Sequence, residues 1–135
     1  MDGNSWILIV DDDDGVRSLM ATVLGLAGFS VVCAADANDA ITHCTERGSV
    51  PSLLLCDVIL HPAFSGRDLT RHLRLIYGDV KVLYVSGMVE ADLINEEIIG
   101  GSAAFLAKPF SPRHLVEKVR LTIGQMAEGA ATLGS

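Results

Sequence analysis

Short apolar runs alternate with amphipathic helical patterns five times along this chain of 135 residues, and this alternation strongly limits the folds open to it. The third run, which ends at Asp57, is continuously apolar and is bounded by turn residues, which is typical of a strand buried on both faces. Five strand–helix units with short connections predict a parallel sheet covered by helices on both sides, because such crossovers are right-handed. The predicted strands are residues 5–10, 29–34, 52–57, 80–86 and 103–107.

Start and stop signals mark the helices between these strands. Asp36, with Asp39 three residues later, resembles a capping box at the start of the second helix, and Ser111 followed by Pro112 marks the start of the last one. The segment from Val89 to Ile99 carries a weaker helical pattern and is the predicted fourth helix. Glycines are expected to end the first three helices, at Gly28, Gly48 and Gly78.

Apolar residues at helical spacing give most of the predicted helices one buried face. The chain has one domain's worth of residues and shows neither an internal repeat nor a dividing linker. We therefore expect one domain over residues 1–127 and a frayed tail over 128–135, where the residues are small and polar. The stripes expected to face the sheet are Val16, Leu19, Met20, Val23, Leu24 and Ala27, then Ala37, Ala40, Ile41 and Cys44, then Leu69, Leu73 and Ile76, and finally Val116, Val119, Ile123 and Met126.

Composition and charge exclude several classes of protein. Half of the residues are hydrophobic and the mean hydropathy is +0.40, which excludes disorder for most of the chain. The net charge of −7 argues against direct nucleic-acid binding, because phosphate contacts need clustered Lys and Arg. Three widely spaced cysteines form neither a disulfide framework nor a zinc pattern. We expect Cys33, Cys44 and Cys56 to be core residues in a reducing, cytoplasmic setting.

Membrane-spanning and nucleotide-binding classes are also disfavoured. No apolar segment approaches the length of a spanning helix, and the acidic N-terminal region is unlike a signal peptide, so we expect no membrane contact by this domain. The first strand is followed by four aspartates, where a dinucleotide-binding fold would place G-x-G-x-x-G, and a Walker A sequence is missing.

Chemically active residues follow four of the predicted strands. The carboxyl ends of parallel strands share one edge of the sheet, where open α/β folds bind ligands. That edge is expected to collect Asp11 and Asp12 from the first strand, Asp57 from the third, Ser86 from the fourth and Lys108 after the fifth. Carboxylates this close repel and raise one another's pKa, and a hard divalent cation removes that cost. Oxygen ligands with room for water favour Mg²⁺.

This residue set matches a site for phosphoryl transfer. A cation and a Lys side chain neutralise the oxygens of a transferring phosphoryl group, and a Ser hydroxyl donates a hydrogen bond to it. An Asp carboxylate inside such a clamp can itself be the nucleophile, which gives an aspartyl-phosphate.

At these residues the chain resembles the receiver (response regulator) domains of bacterial two-component signalling, over about residues 5 to 125. Each of the four motifs is weak alone, but their occurrence in order, one per strand, is specific. The motifs are Ile7-Leu8-Ile9-Val10-Asp11-Asp12, Leu55-Cys56-Asp57, Tyr84-Val85-Ser86-Gly87 and Phe105-Leu106-Ala107-Lys108-Pro109-Phe110.

The resemblance implies a fold, an acceptor and a metal site. The fold is the flavodoxin-like (βα)5 three-layer sandwich, with a parallel five-stranded sheet in the order 2-1-3-4-5. Asp57 would take the phosphoryl group from a phosphohistidine on a histidine kinase or a histidine phosphotransfer domain. Mg²⁺, or Mn²⁺ in its place, would be bound by Asp12, Asp57 and the backbone carbonyl of Ile59, with Asp11 helping through a water molecule.

The resemblance also implies a switch. Ser86 would be the switch hydroxyl, Lys108 the cation on the phosphoryl group and Phe105 the aromatic switch residue, and the peptide bond between Lys108 and Pro109 would be cis. Phosphorylation would alter the face made by the fourth helix, the fifth strand and the fifth helix, which could also form a homodimer. The domain would be a signalling module rather than an enzyme, with self-catalysed phosphorylation. Autodephosphorylation should be slow, because the residues two positions after the acceptor and two after the switch hydroxyl, Ile59 and Met88, are apolar and cannot orient a water molecule.

The loop after Asp57 departs from the commonest receiver pattern. Gly66 follows Asp57 by nine residues, one more than in the most familiar version, and Pro62 comes one place late, with His61 where Pro is usual. A longer loop of this kind resembles receivers fused to hybrid sensor kinases. We therefore favour a hybrid histidine kinase over a stand-alone regulator as the parent protein, and such a parent could tether this cytoplasmic domain to a membrane.

Plain structural roles are expected for the remaining charged residues. Asp13 and Asp14 should cap the first helix and favour the positive end of its dipole, and Arg17 should belong to a solvated face. His61 should be exposed in its loop. The histidines expected on polar helix faces are His43, His72 and His114.

Two other functions are consistent with parts of the pattern. A phosphatase of the haloacid dehalogenase type also forms an aspartyl-phosphate, but it uses a second Asp two residues after the nucleophile, and that position is Ile59 here. A pseudo-receiver that only binds partners is the other alternative. The intact acidic pair, together with Asp57, Ser86 and Lys108, argues against it.

Overall fold

The computed structural model describes residues 5–57, 66–87 and 104–134. Within these ranges the helices are α1 (Asp14–Leu26), α2 (Ala37–Arg47), α3 (Gly66–Tyr77) and a C-terminal helix (Pro112–Gly134). The strands are β1 (Ile7–Val10), β2 (Val31–Ala34), β3 (Leu53–Asp57), β4 (Val82–Ser86) and β5 (Ala104–Ala107).

The five strands form one parallel sheet in the order β2-β1-β3-β4-β5. Helices lie on both faces, so the predicted flavodoxin-like three-layer fold is confirmed. β1 lies between β2 and β3, and its last residue, Val10, pairs with Ala34 of β2 and with Cys56 of β3. This register brings the residues that follow β1 next to the last residue of β3.

Alternating side chains of the strands fill two core layers. Leu8 and Val10 of β1 pack in the layer under α2 and α3, whereas Ile7 and Ile9 pack in the layer under α1 and the C-terminal helix. All four side chains are at most 2 % exposed. Because burial of such a side chain stabilises a protein by roughly 1.5–3 kcal/mol, the two layers fix the strand positions on which the site depends.

Predicted caps define the helix ends. Asp13 accepts a hydrogen bond from the N–H of Val16 at 3.0 Å, and Asp36 accepts one from the N–H of Asp39 at 2.8 Å. Gly48 ends α2 in the left-handed conformation, with φ of 66°, where a side chain would be strained. These capping predictions are confirmed.

Some predicted core residues lie elsewhere. Leu19 of α1 is 48 % exposed and Ile76 of α3 is 57 % exposed, so the expectation that they face the sheet is wrong. In α3 the partly buried Tyr77 continues the buried row of Leu69 and Leu73 at a spacing of four residues, which turns Ile76 outward. In the C-terminal helix, Leu115 is fully buried although the sequence stripe omitted it.

The remaining sequence expectations concern thiols, membranes and chain ends. Cys44 and Cys56 are buried and Cys33 is partly buried, all as free thiols, in agreement with the prediction of core residues. Among the described residues, no helix is both long and apolar enough to cross a membrane. The C-terminal helix continues to Gly134, past the start of the expected tail at residue 128, and the domain boundary stays a prediction. The predicted fourth helix, Met88 and the loop over residues 58–65, including Ile59, fall outside the described residues.

Candidate functional site

Three carboxylates converge where β1 and β3 end. Asp11 follows β1 directly and is fully buried, Asp57 is the last residue of β3 and is 15 % exposed, and Asp12 is exposed. One oxygen from each of the three lies within 4.8 Å of the others. The parallel register of β1 and β3 thus produces an acidic cluster with one side open to solvent.

Lys108 brings a positive charge into this cluster from the far side of the sheet. Its Nζ donates to Oδ2 of Asp57 at 3.1 Å and to Oδ2 of Asp11 at 3.4 Å. The residue comes immediately after β5, and its peptide bond with Pro109 is cis, as predicted. The structure therefore unites residues that are 51 and 97 positions apart in the chain.

Burial and neighbouring charges oppose each other in this cluster. Burial raises the pKa of the Asp11 carboxyl, and the negative charge of Asp57 raises it further. The hydrogen bond from the N–H of Asp13 and the positive charge of Lys108 lower that pKa, but the net pKa is raised. For Lys108, burial lowers the pKa, but Asp11 and Asp57 outweigh it and the net pKa is raised. The ammonium is therefore charged at neutral pH and offsets part of the repulsion.

The donor set fits a hard divalent cation. All three side chains offer carboxylate oxygens, the ligands that Mg²⁺ and Mn²⁺ favour. The exposed Asp12 leaves one side open for water ligands, which Mg²⁺ usually retains. Asp11, Asp12 and Asp57 are the described residues that could hold such an ion, and the expected carbonyl ligand, Ile59, lies outside the described ranges.

Arg17 contacts the acidic loop, contrary to the expectation of a solvated face. Its side chain is 17 % exposed; Nη1 donates to the carbonyl oxygen of Asp11 at 2.7 Å, and Nη2 donates to the Asp14 carboxylate. Side chains of a helix point towards its N-terminus, so a residue in the first turn of α1 reaches back to the end of β1. A cation near the positive end of a helix dipole is disfavoured unless it has a partner, and this was the signal available in the sequence.

Gly66 is a second residue whose contact with the site the sequence did not reveal. It is the first residue of α3, and a Cβ placed on it would lie 2.3 Å from the carbonyl oxygen of Asp57. The backbone of α3 therefore touches the backbone of Asp57 so closely that only glycine fits.

Ser86 and Phe105 lie on the two strands next to β3. Ser86 is the last residue of β4 and pairs with Ala107 of β5, so its backbone is at the same edge of the sheet as Asp57 and Lys108. Phe105 is partly buried and packs on the core layer under α2 and α3, which contains its register partner Tyr84.

Tyr84 takes part in a buried polar contact below this edge. Its hydroxyl donates to Oγ1 of Thr70 at 3.0 Å, and the Thr70 hydroxyl donates to the carbonyl oxygen of Gly66 at 2.9 Å. Two hydroxyl groups thus connect β4 to the first residue of α3, the residue that touches Asp57.

Comparison with known proteins shows which family this chain resembles. The family model described as "Response regulator receiver domain" matches residues 7–120. The transcriptional regulatory protein AruR of Pseudomonas aeruginosa is 33 % identical over 134 residues, which are 95 % of this chain and 53 % of that protein. The sensor kinase CckA of Brucella abortus is 31 % identical over 120 residues, 89 % of this chain and 13 % of that protein. The chain thus spans about half the length of AruR and a small part of CckA.

Solved structures give the same result. A putative response regulator from Chloroflexus aurantiacus is similar with a TM-score of 0.77 and 30 % identity, over 89 % of this chain and 98 % of that one. A receiver domain protein from Clostridium thermocellum has a TM-score of 0.80 at 21 % identity, over 91 % of this chain and 97 % of that one, a likeness of fold. The sheet order, the acidic edge and the family match agree: this chain belongs to the response regulator receiver domain family of two-component systems.

Proposed function

We propose that this receiver domain takes a phosphoryl group onto Asp57 from a phosphohistidine of a histidine kinase or a histidine phosphotransfer domain. Receiver domains interact with partners of this kind. The observation that carries the choice of Asp57 is its place at the end of β3, with the Lys108 ammonium 3.1 Å from its carboxylate. Asp57 is also 15 % exposed, so a donor can reach it, whereas Asp11 is fully buried.

The transfer makes one bond and breaks one. A carboxylate oxygen of Asp57 bonds to phosphorus as the bond from phosphorus to the donor's imidazole nitrogen breaks. The electron pair leaves with that nitrogen, which takes up a proton. Lys108 binds an oxygen of the transferring group, and Ser86 donates a hydrogen bond to it from the end of β4.

We propose Mg²⁺, with Mn²⁺ as a substitute, as the cofactor of this transfer. Asp12 and Asp57 would bind it directly together with the carbonyl of Ile59, and Asp11 would act through a water molecule. The Lys108 ammonium contacts two of the three clustered carboxylates, those of Asp11 and Asp57. One ammonium does not balance three carboxylates, so the cluster still favours a cation. When bound, the cation neutralises charge on the phosphoryl oxygens.

The output is proposed to be a change in packing around β5. A phosphoryl group on Asp57 favours a conformation in which the Ser86 hydroxyl contacts it and Phe105 repacks. Phe105 already packs beside Tyr84 in the core layer, so its movement changes the surface made by β5, the C-terminal helix and the predicted fourth helix. The same surface is the proposed homodimer interface.

The proposed setting is the cytoplasm, in a signalling module with self-catalysed phosphorylation and slow autodephosphorylation. Its net charge of −7 supports partners other than nucleic acid for this domain. The similarity to a sensor kinase supports a hybrid kinase as the parent, while AruR is a transcriptional regulator, and the hybrid origin stays a prediction.

Two small phosphate donors test this function against the phosphatase alternative. Incubation with acetyl phosphate and Mg²⁺ should leave one lasting phosphoryl group on each domain, and p-nitrophenyl phosphate should not be turned over. Continuous release of p-nitrophenol without a lasting label would instead support a phosphatase.

A further inference from the structure

Arg17 is a partly buried cation beside the acidic cluster, and neither the metal site nor the phosphoryl transfer described above assigns it a role. Its guanidinium uses two nitrogens, Nη1 on the carbonyl oxygen of Asp11 and Nη2 on the carboxylate of Asp14. Its own backbone N–H donates to the carbonyl oxygen of Asp13 at 2.9 Å. One residue thus contacts three of the four consecutive aspartates.

These contacts add to other hydrogen bonds that hold the turn between β1 and α1. The N–H of Asp13 donates to Oδ1 of Asp11 at 2.9 Å, and Asp13 in turn caps α1 through the N–H of Val16. The N–H of Asp11 donates to the carbonyl oxygen of Ala34 at 3.2 Å, which ties the start of the turn to the end of β2. Arg17 of α1 donates a hydrogen bond to the carbonyl oxygen of Asp11.

The Asp11 carbonyl matters because of the peptide bond to which it belongs. That bond is planar and also contains the nitrogen of Asp12, so holding the Asp11 oxygen fixes the plane from which the Asp12 side chain leaves the backbone. Asp12 is exposed and is therefore not oriented by core packing. The Arg17 guanidinium therefore influences the orientation of the Asp12 side chain through the backbone.

We propose that Arg17 is a positioning residue for the metal site: it holds the peptide bond between Asp11 and Asp12 in the orientation that binds the cation. The proposal deepens the proposed function, because it concerns the same cation site. Outer-shell contacts of this kind typically change metal affinity by about 10-fold to 100-fold when they are removed.

The positive charge of Arg17 and its hydrogen bond to Asp11 should have opposite effects on the affinity for Mg²⁺, and this difference allows a test. A positive charge near carboxylates repels a second cation, so loss of that charge alone strengthens Mg²⁺ binding. Loss of the hydrogen bond to Asp11 weakens Mg²⁺ binding. Arg17→Gln removes both the charge and the forked contact, whereas Arg17→Lys keeps the charge and the stem but lacks the planar fork.

The experiment measures Mg²⁺ binding by calorimetry in the absence of any phosphate donor. We expect Arg17→Lys to bind Mg²⁺ about tenfold more weakly than the wild type. Arg17→Gln should also bind more weakly, but by less, because the loss of its positive charge offsets part of the effect. The matched control is Arg113→Gln, since Arg113 is 88 % exposed and forms an ion pair with Glu117 at 3.0 Å, far along the chain on the C-terminal helix. This control should bind Mg²⁺ like the wild type.

A second variant separates the two contacts of the guanidinium. Asp14 is 87 % exposed, and surface ion pairs contribute little, so Asp14→Asn should change Mg²⁺ affinity by no more than about threefold. Melting of each variant in chelator is measured in parallel. A purely structural role lowers the melting temperature and leaves the Mg²⁺ affinity of the folded protein unchanged.

Several outcomes would overturn the proposal. Equal or tighter Mg²⁺ binding by Arg17→Gln would show that only charge is felt at the site, and wild-type affinity in Arg17→Lys would show that the fork is dispensable. A loss of Mg²⁺ affinity in Asp14→Asn as large as that in Arg17→Gln would show that the ion pair with Asp14 matters, rather than the hydrogen bond to the Asp11 carbonyl. If the wild type itself binds no Mg²⁺, the proposed metal site fails, which is a different result from a wild type that binds and an Arg17 variant that binds equally well.

Discussion

Replacement of Gly66 by alanine tests how closely the backbone of α3 holds the acceptor. The new Cβ would lie 2.3 Å from the carbonyl oxygen of Asp57 and 3.0 Å from Sγ of Cys56. The first neighbour is a backbone atom, so it cannot rotate away as the end of a long side chain would. Ordinary contact begins at 3.4 Å, so the two backbones must separate by 3.4 − 2.3 = 1.1 Å.

A displacement of that size has a large expected effect on phosphoryl transfer. Misplacing a reacting group by about 1 Å costs on the order of 100-fold in rate. The Asp57 carboxylate must keep its contact with Lys108, now 3.1 Å, while it presents an oxygen to phosphorus. We therefore expect Gly66→Ala to be phosphorylated about 100-fold more slowly, with about 1–3 kcal/mol of stability lost to overpacking.

The assay follows the initial rate of labelling by acetyl phosphate at saturating Mg²⁺, with the folded fraction measured by circular dichroism. Gly25→Ala and Gly124→Ala are matched controls, because nothing lies within 4 Å of a Cβ at either helical position. Both controls should label at the wild-type rate and should be stabilised by about 0.5–1 kcal/mol, since alanine favours a helix over glycine. Labelling of folded Gly66→Ala at the wild-type rate would refute the view that this contact positions Asp57.

Three other predictions concern the metal site, the cation and the switch. Asp12→Ala should melt at a higher temperature than the wild type in chelator, because carboxylate repulsion falls; a large loss of stability would mean that the cluster is structural. The raised pKa of Lys108 stabilises the fold below its ordinary value of 10.5, and this contribution is lost as the pH rises through the folded-state pKa. In urea unfolding in chelator, the wild type should therefore lose more stability above pH 10.5 than Lys108→Gln does, and parallel losses would contradict the pairing. Phosphorylation should shift the NMR signals of Phe105 and Tyr84, and shifts confined to the neighbourhood of Asp57 would argue against the proposed switch.

The sequence predicted the strands well because each is a short apolar run, and a polar residue stands at or directly after the end of four of them: Asp11, Asp57, Ser86 and Lys108. Periodicity gave a parallel sheet but left its strand order open, and the receiver motifs supplied the order 2-1-3-4-5, which the strand pairing confirms. Cap residues such as Asp13 and Asp36 were also predictable, since a cap depends on contacts within a single turn.

The sequence was less informative where a contact depends on how two elements meet. Leu19 and Ile76 fit an apolar stripe but lie at its edge, and only the packing of the neighbouring helix decides whether an edge residue is covered. Gly66 touches Asp57 although it comes nine residues later in the chain, and no local sequence pattern reveals that contact. The position of Arg17 in the first turn of α1 indicated that it needs a partner, but no sequence pattern shows that one partner is the backbone carbonyl of Asp11.

The most direct test of the account is the site of phosphorylation itself. Wild type, Asp57→Asn and Asp12→Asn are incubated with acetyl phosphate, with Mg²⁺ or with chelator, and intact mass and peptide mass spectrometry locate the phosphoryl group. We predict one phosphoryl group on the wild type, on Asp57 and only when Mg²⁺ is present. Asp57→Asn should carry none, and Asp12→Asn should need more Mg²⁺ for the same labelling. Full labelling of Asp57→Asn, or labelling of the wild type that is indifferent to chelator, would contradict the assignment of this acidic edge as the phosphoacceptor site.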